Sequence, residues 1–142
     1  MFYGRATPKI DEKGRFFLPA KFRDQLASGL VMAPFYDHCL AIYPMATFTA
    51  LAERAASWPA SVSRVRDYQR ELAGDADDQV PDKQGRVRIP SYLREYAQLG
   101  DEVLVRGALE RVELWNPQVY AERHAASQEA YANMDDQIWP EA

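Results

Sequence analysis

The stretch DEKGRFFLPAKFR at residues 11–23 returns as DKQGRVRIPSYLR at residues 82–94. At a constant offset of 71 residues, Asp11 matches Asp82, Gly14 matches Gly85, Arg15 matches Arg86, Pro19 matches Pro90 and Arg23 matches Arg94. Apolar character coincides at Phe16 and Val87, Leu18 and Ile89, and Phe22 and Leu93. A second likeness follows each copy: CLAIYP at 39–44 and RVELWNP at 111–117 are alternating, strand-like runs ending in an aromatic residue and a proline. Two matched pairs in the same order mark a tandem duplication of a unit of about 70 residues. The expected division is a first module over 1–56, a helical linker over 57–75, and a second module with C-terminal helix and tail over 76–142. A unit that small buries little surface alone, so the halves are expected to share one core.

Each half predicts the same elements. A short strand (Ala6 to Ile10; around Gln79 and Val80) leads into a glycine-containing turn and a return strand (Arg15 to Leu18; Arg86 to Ile89), as in a hairpin. Pro19 and Pro90 suit the start of a short helix, Ala20 to Leu26 and Ser91 to Leu99. Two more strands follow: Leu30 to Ala33 with Cys39 to Tyr43, and Glu102 to Arg106 with Arg111 to Trp115. Phe48, Leu51, Ala52 and Ala55 fall on one face of a helix over Met45 to Ala56. Asn116 and Pro117 start another to about Asn133, and Val62 to Ala73 bridges the halves. Met134 to Ala142 reads as a tail, with Ile138 and Trp139 able to dock on a neighbour.

The 142 residues carry 17 basic and 21 acidic side chains, net charge -4, which by itself disfavours a nucleic-acid partner. The distribution says otherwise. Residues 1–30 hold six basic against three acidic side chains, and residues 81–100 four against two. Both acidic excesses, four basic against seven over 31–80 and three against nine over 101–142, lie elsewhere. The cationic islands coincide with the repeated motif, which predicts two electrostatic faces. Apolar runs such as Leu30 to Tyr36 are too short to span a membrane, and the N-terminus lacks a signal-peptide pattern. A cytoplasmic protein is expected, with no membrane partner.

A turn carrying Lys13 and Arg15, or Lys83 and Arg86, projects cations at fixed spacing, and Gly14 and Gly85 let backbone approach a phosphate. Arginine is well shaped for bidentate contact with guanine or phosphate. A solvated charged turn is the plain alternative. Asp11 and Asp82 are expected to be structural, accepting backbone N–H groups and holding the arginine four residues on. Asp75-Ala76-Asp77-Asp78 lacks the glycine and glutamate of a calcium loop, having Val80 and Arg86 at those positions. His38 and Cys39 are adjacent and would diverge on a strand; Cys39 is expected to be a small buried hydrophobe and His124 a surface residue. No phosphate-loop, dinucleotide or metallohydrolase pattern is present, so no enzyme, cofactor, metal or small-molecule substrate is expected. Trp115, Tyr43 and Phe48 are expected in the core, and Phe2 and Tyr3 at a subunit contact.

These residues together resemble the MraZ family of bacterial transcriptional regulators, built from two SpoVT/AbrB-type modules. The likeness runs from Met1-Phe2 and Gly4 through DEKGRFFLPAKFR and CLAIYP to DKQGRVRIPSYLREYAQL, with a D-x-x-x-R pattern in each half. It implies a mainly β, α+β fold with flanking helices, in which two swapped-hairpin modules form a pseudo-dimeric double-split β-barrel. It further implies a ring-shaped homo-oligomer that binds short direct repeats of promoter DNA at the division and cell-wall gene cluster, usually as a repressor. Arg15 and Arg86 would touch DNA, with Lys13 and Lys83 beside them. An AbrB-like antitoxin and a non-DNA oligomeric scaffold are the competing readings.

Overall fold

The computed structural model describes residues 1–135 and Ile138. Chain order is β1 (Arg5–Ala6), β2 (Arg15–Phe17), α1 (Ala20–Leu26), β3 (Leu30–Pro34), β4 (Leu40–Pro44), α2 (Met45–Ala56), α3 (Ser63–Gly74), β5 (Asp77–Gln79), β6 (Arg86–Arg88), α4 (Ser91–Tyr96), β7 (Leu104–Ala108), β8 (Arg111–Trp115) and α5 (Pro117–Ala132). The fold is α+β with antiparallel pairing throughout. Apart from the linking α3, the second half repeats the element order of the first.

Pairing is where the two halves become one molecule. A six-stranded sheet runs β1-β7-β8-β4-β3-β5, and a separate two-stranded ribbon is formed by β2 and β6. Exchanging β1 with β5, β7 with β3 and β8 with β4 leaves the sheet order unchanged, so the duplication in sequence is a pseudo-two-fold axis in space. The local hairpin expected on each side of the glycine turn is not what forms. β1 pairs with β7 of the other half, β5 with β3, and the return strands β2 and β6 pair with each other. The physical reason is burial: Phe16 and Val87, directly opposite in the ribbon, are both buried, whereas a closed local hairpin would leave each without a partner surface.

One core results. Phe16, Leu18, Phe22 and Leu26 of the first half pack in a single cluster with Val87, Ile89, Leu93 and Val105 of the second. Phe2 belongs to it. The subunit contact expected of Phe2 is corrected here: it is buried within the chain, packs edge-on against Phe22 at 5.5 Å, and is tied by its N–H to the Leu109 carbonyl at 2.8 Å, while Tyr3 is exposed. Gly107 makes room for this, since a Cβ there would overlap the backbone of Phe2 and Tyr3. Tyr43 and Trp115 are buried and Phe48 half-buried. Cys39 is fully buried, and desolvation pushes its thiol far above the ordinary value.

Local signals behave as their chemistry requires. Pro19 and Pro90 stand immediately before α1 and α4. The Asn116 side chain accepts from the Gln118 and Val119 N–H groups at 2.8 and 3.2 Å, with Pro117 opening α5. α4 is shorter than the predicted Ser91 to Leu99, because Gln98 turns to φ 56. Two further expectations are corrected. His38 sits in a short 3-10 turn with φ 61, not on a strand, and His124 is half-buried, stacked on Tyr120 at 5.0 Å. Ile138 is exposed, and Trp139 lies outside the described residues. Among the described residues no helix is long and apolar enough to cross a membrane.

Candidate nucleic-acid interface

Each D-x-x-x-R turn is closed by its own aspartate. Asp11 Oδ1 accepts from the N–H groups of Lys13 and Arg15, both at 2.9 Å, and Oδ2 accepts from Arg15 Nε at 2.9 Å. Asp82 repeats the arrangement with the Gln84 and Arg86 N–H groups, both at 2.9 Å, and Arg86 Nε at 2.7 Å. Spacing explains it: a four-residue turn brings residue i+4 back beside residue i, where a carboxylate satisfies two backbone donors and one guanidinium edge. Because each clamp uses only Nε, the terminal nitrogens of Arg15 and Arg86 remain available at side chains 28% and 25% exposed.

The same bonds act on the aspartates. The Arg15 backbone N–H, the strongest influence, and then the Arg15 side chain hold the Asp11 carboxyl below its ordinary range, and Arg86 does the same to Asp82. A carboxyl depressed in the folded state contributes stability above the ordinary carboxylate range and loses it as pH falls through the lowered value. The turns should therefore keep one geometry from neutral pH down to the carboxylate range. Asp11→Ala removes all three hydrogen bonds and leaves Arg15 unaimed; we expect a several-fold weaker complex with DNA in a titrated mobility-shift assay, a smaller loss than removal of Arg15 itself.

The glycines also have a part in how the turns pack. Gly14 and Gly85 take φ values of 79 and 81, open to glycine without strain. A Cβ on Gly14 would meet the Arg94 guanidinium and the Ile89 carbonyl near 3.1 Å, and one on Gly85 would meet Arg23 Nε at 2.6 Å. Each turn is thus backed by an arginine from the opposite half. The Ile89 N–H donates to the Gly14 carbonyl at 2.8 Å and the Leu18 N–H to the Gly85 carbonyl at 2.9 Å. The two turns brace each other through the ribbon.

Strand alternation then sets the outward face. Arg15 lies opposite Arg88, Phe16 opposite Val87, and Phe17 opposite Arg86. Since Phe16 and Val87 point inward, Arg15, Phe17, Arg86 and Arg88 share the other face. The structure brings Arg15 and Arg86 together on one ribbon and places exposed Lys13 and Lys83 on the flanking turns. Lys13 and Lys83 are not equivalent: at the 71-residue offset Lys13 matches Gln84, and Lys83 matches Glu12. Sequence reasoning matched Arg23 with Arg94 but gave neither them nor Arg88 and Phe17 a role at the site. The alternation of RFF and RVR could have found Arg88 and Phe17; the bracing pair needed the fold. Among the described residues no group of three His, Cys, Asp or Glu converges on a metal position.

A family model described as "MraZ protein, putative antitoxin-like" matches residues 1–71 and again 72–137, at the offset of the internal repeat. The chain belongs to the MraZ family. Similar relatives named "Transcriptional regulator MraZ" occur in Cutibacterium acnes (52% identical, covering 99% of each chain), Nocardioides sp. (48%, covering 96% of this chain and 94% of the relative) and Thermobifida fusca (40%, covering 99% and 98%). The MraZ relatives thus align along the whole duplicated chain, ribbon and turns included. They are named as regulators rather than enzymes.

Proposed function

We propose that this protein is a DNA-binding transcriptional regulator whose β2·β6 ribbon contacts the duplex. The observation that carries this reading is the pair of aspartate-clamped arginines, Arg15 and Arg86, fixed on one outward ribbon face with Arg88. A two-stranded ribbon fits the major groove, and guanidinium groups suit guanine edges and phosphates. Arg15 and Arg86 make the principal contacts, Lys13 and Lys83 supply positive charge beside them, and the Gly14 and Gly85 turns bring the backbone close. No metal, cofactor or small molecule takes part. The protein works in the cytoplasm, at the nucleoid.

The finer reading follows the MraZ resemblance: a ring-shaped homo-oligomer represses the division and cell-wall gene cluster by binding short direct repeats in its promoter. Copies around a ring engage successive repeats, so modest contacts multiply through effective concentration. The test is a mobility-shift titration on DNA upstream of the protein's own gene, at several salt concentrations, with native mass determination alongside. Retention that falls steeply with salt, on a closed oligomer, is the expected result. Equal affinity for this DNA and for unrelated duplex would sink the reading, and an oligomer without DNA retention would favour the scaffold alternative.

A further inference from the structure

Two-fold symmetry of the ribbon is broken at one pair of positions. Arg15 and Arg86 are equivalent and identically clamped, but at the same 71-residue offset Phe17 is matched by Arg88. Cross-strand register makes the ends chemically different. One end pairs Arg15 with Arg88 across the ribbon, two arginines at directly opposite positions. The other carries Arg86 opposite Phe17, with the Arg86 guanidinium carbon 5.9 Å from the ring centre. Phe17 is 50% exposed, a large apolar ring on an otherwise cationic face. Arg88 is exposed, and among the described residues its guanidinium has no hydrogen bond or ion pair, whereas Arg15 and Arg86 each give Nε to an aspartate.

We propose that Phe17 and Arg88 are specificity-determining residues that make the ribbon read an asymmetric DNA site. This rests on the DNA-binding reading above. At the Arg15/Arg88 end, two guanidinium groups favour adjacent guanines, each offering O6 and N7 as a bidentate acceptor. At the Arg86/Phe17 end, one guanidinium takes a guanine while the ring packs on the C5-methyl of a neighbouring thymine, the apolar feature of the major-groove edge. The turns reinforce the difference, with Glu12-Lys13 at one tip and Lys83-Gln84 at the other. A ribbon with unequal ends has a direction, and identical copies around a ring would all present it the same way.

The experiment is selection of binding sites from a random duplex library by the full-length protein, comparing wild type, F17R, F17L and R88F. All three substitutions change exposed side chains, and unchanged native mass and circular dichroism would show that the fold persists. Wild type is expected to select a site without two-fold symmetry about the ribbon centre, with thymine preferred at one end. F17R, which carries arginine at all four outward positions, is expected to select a site closer to two-fold symmetry and without that thymine. F17L should keep the wild-type preference, and R88F should gain a thymine at the other end. Replacing the selected thymine by uracil, which removes only the methyl, should weaken wild type about four-fold, the worth of one buried methyl group, and leave F17R unchanged. An identical selected site for wild type and F17R, with no cost of uracil, would overturn the inference while leaving DNA binding intact. Absence of any selected site for wild type would instead overturn the DNA-binding reading itself.

Discussion

Arg15→Ala is expected to abolish retention of promoter DNA in a mobility-shift assay, with an affinity loss of at least about 100-fold, while native mass and thermal stability stay close to wild type. The size follows from two features. A guanidinium contact to a guanine or phosphate is worth about 1–3 kcal/mol, and the loss recurs in every copy that touches the duplex. Stability should hold because Arg15 is partly exposed and its ion pair with Asp11 lies at the surface, where such pairs contribute little. Arg86→Ala should behave alike, since Asp82 clamps it in the same geometry. Lys13→Ala acts on a freely rotating charge and should mainly flatten the salt dependence. Wild-type retention by Arg15→Ala would remove the ribbon from the interface.

Phe22→Ala is expected to destabilise the whole molecule by about 3–5 kcal/mol, lowering Tm by roughly 10 °C or more. Phe22 is fully buried on α1, meets Phe2 edge-on, and belongs to the cluster shared by both halves. Truncation leaves a cavity bounded by sheet and helix, which cannot collapse without moving paired strands. Because β1, β2 and β3 all pair with strands of the second half, unfolding should remain a single transition followed alike by calorimetry and far-ultraviolet circular dichroism. Two separate transitions, only one of them shifted, would show that the halves fold independently. A protein of this size holds a net stability of only about 5–15 kcal/mol, so the variant should also express poorly at growth temperature.

Much of the candidate site was legible before the fold was known. The D-x-x-x-R spacing dictates a turn in which the carboxylate meets two N–H groups and the arginine, an interaction confined to five consecutive residues. Helix starts at Pro19, Pro90 and Asn116-Pro117 are equally local, as is the alternation of β4 and β8. Other features were hidden because their partners lie far along the chain. Arg94 reads as a charged helix residue, and nothing near it announces that it backs the Gly14 turn. Phe2 reads as a subunit contact, because its pocket within the chain is built by Phe22 and by the edge of β7. His124 reads as solvent-facing, since the Tyr120 ring it stacks on is no guide to what lies beneath it.

By itself the sequence determined that the protein is a duplicated unit, that each copy carries an aspartate-clamped arginine turn, and that positive charge gathers at those turns despite a net charge of -4. These rest on short-range geometry and on counting. The family resemblance implied exchanged hairpins, which residue patterning alone did not; only the tertiary structure decided which strands pair, that each turn is braced by the other half's arginine, and that Phe17 and Arg88 lie with Arg15 and Arg86 on one outward face. Backbone hydrogen bonds are the same for every residue, so nothing in a strand names its partner. The choice is made by which pairing buries Phe16 and Val87 together, and that requires both halves in space at once.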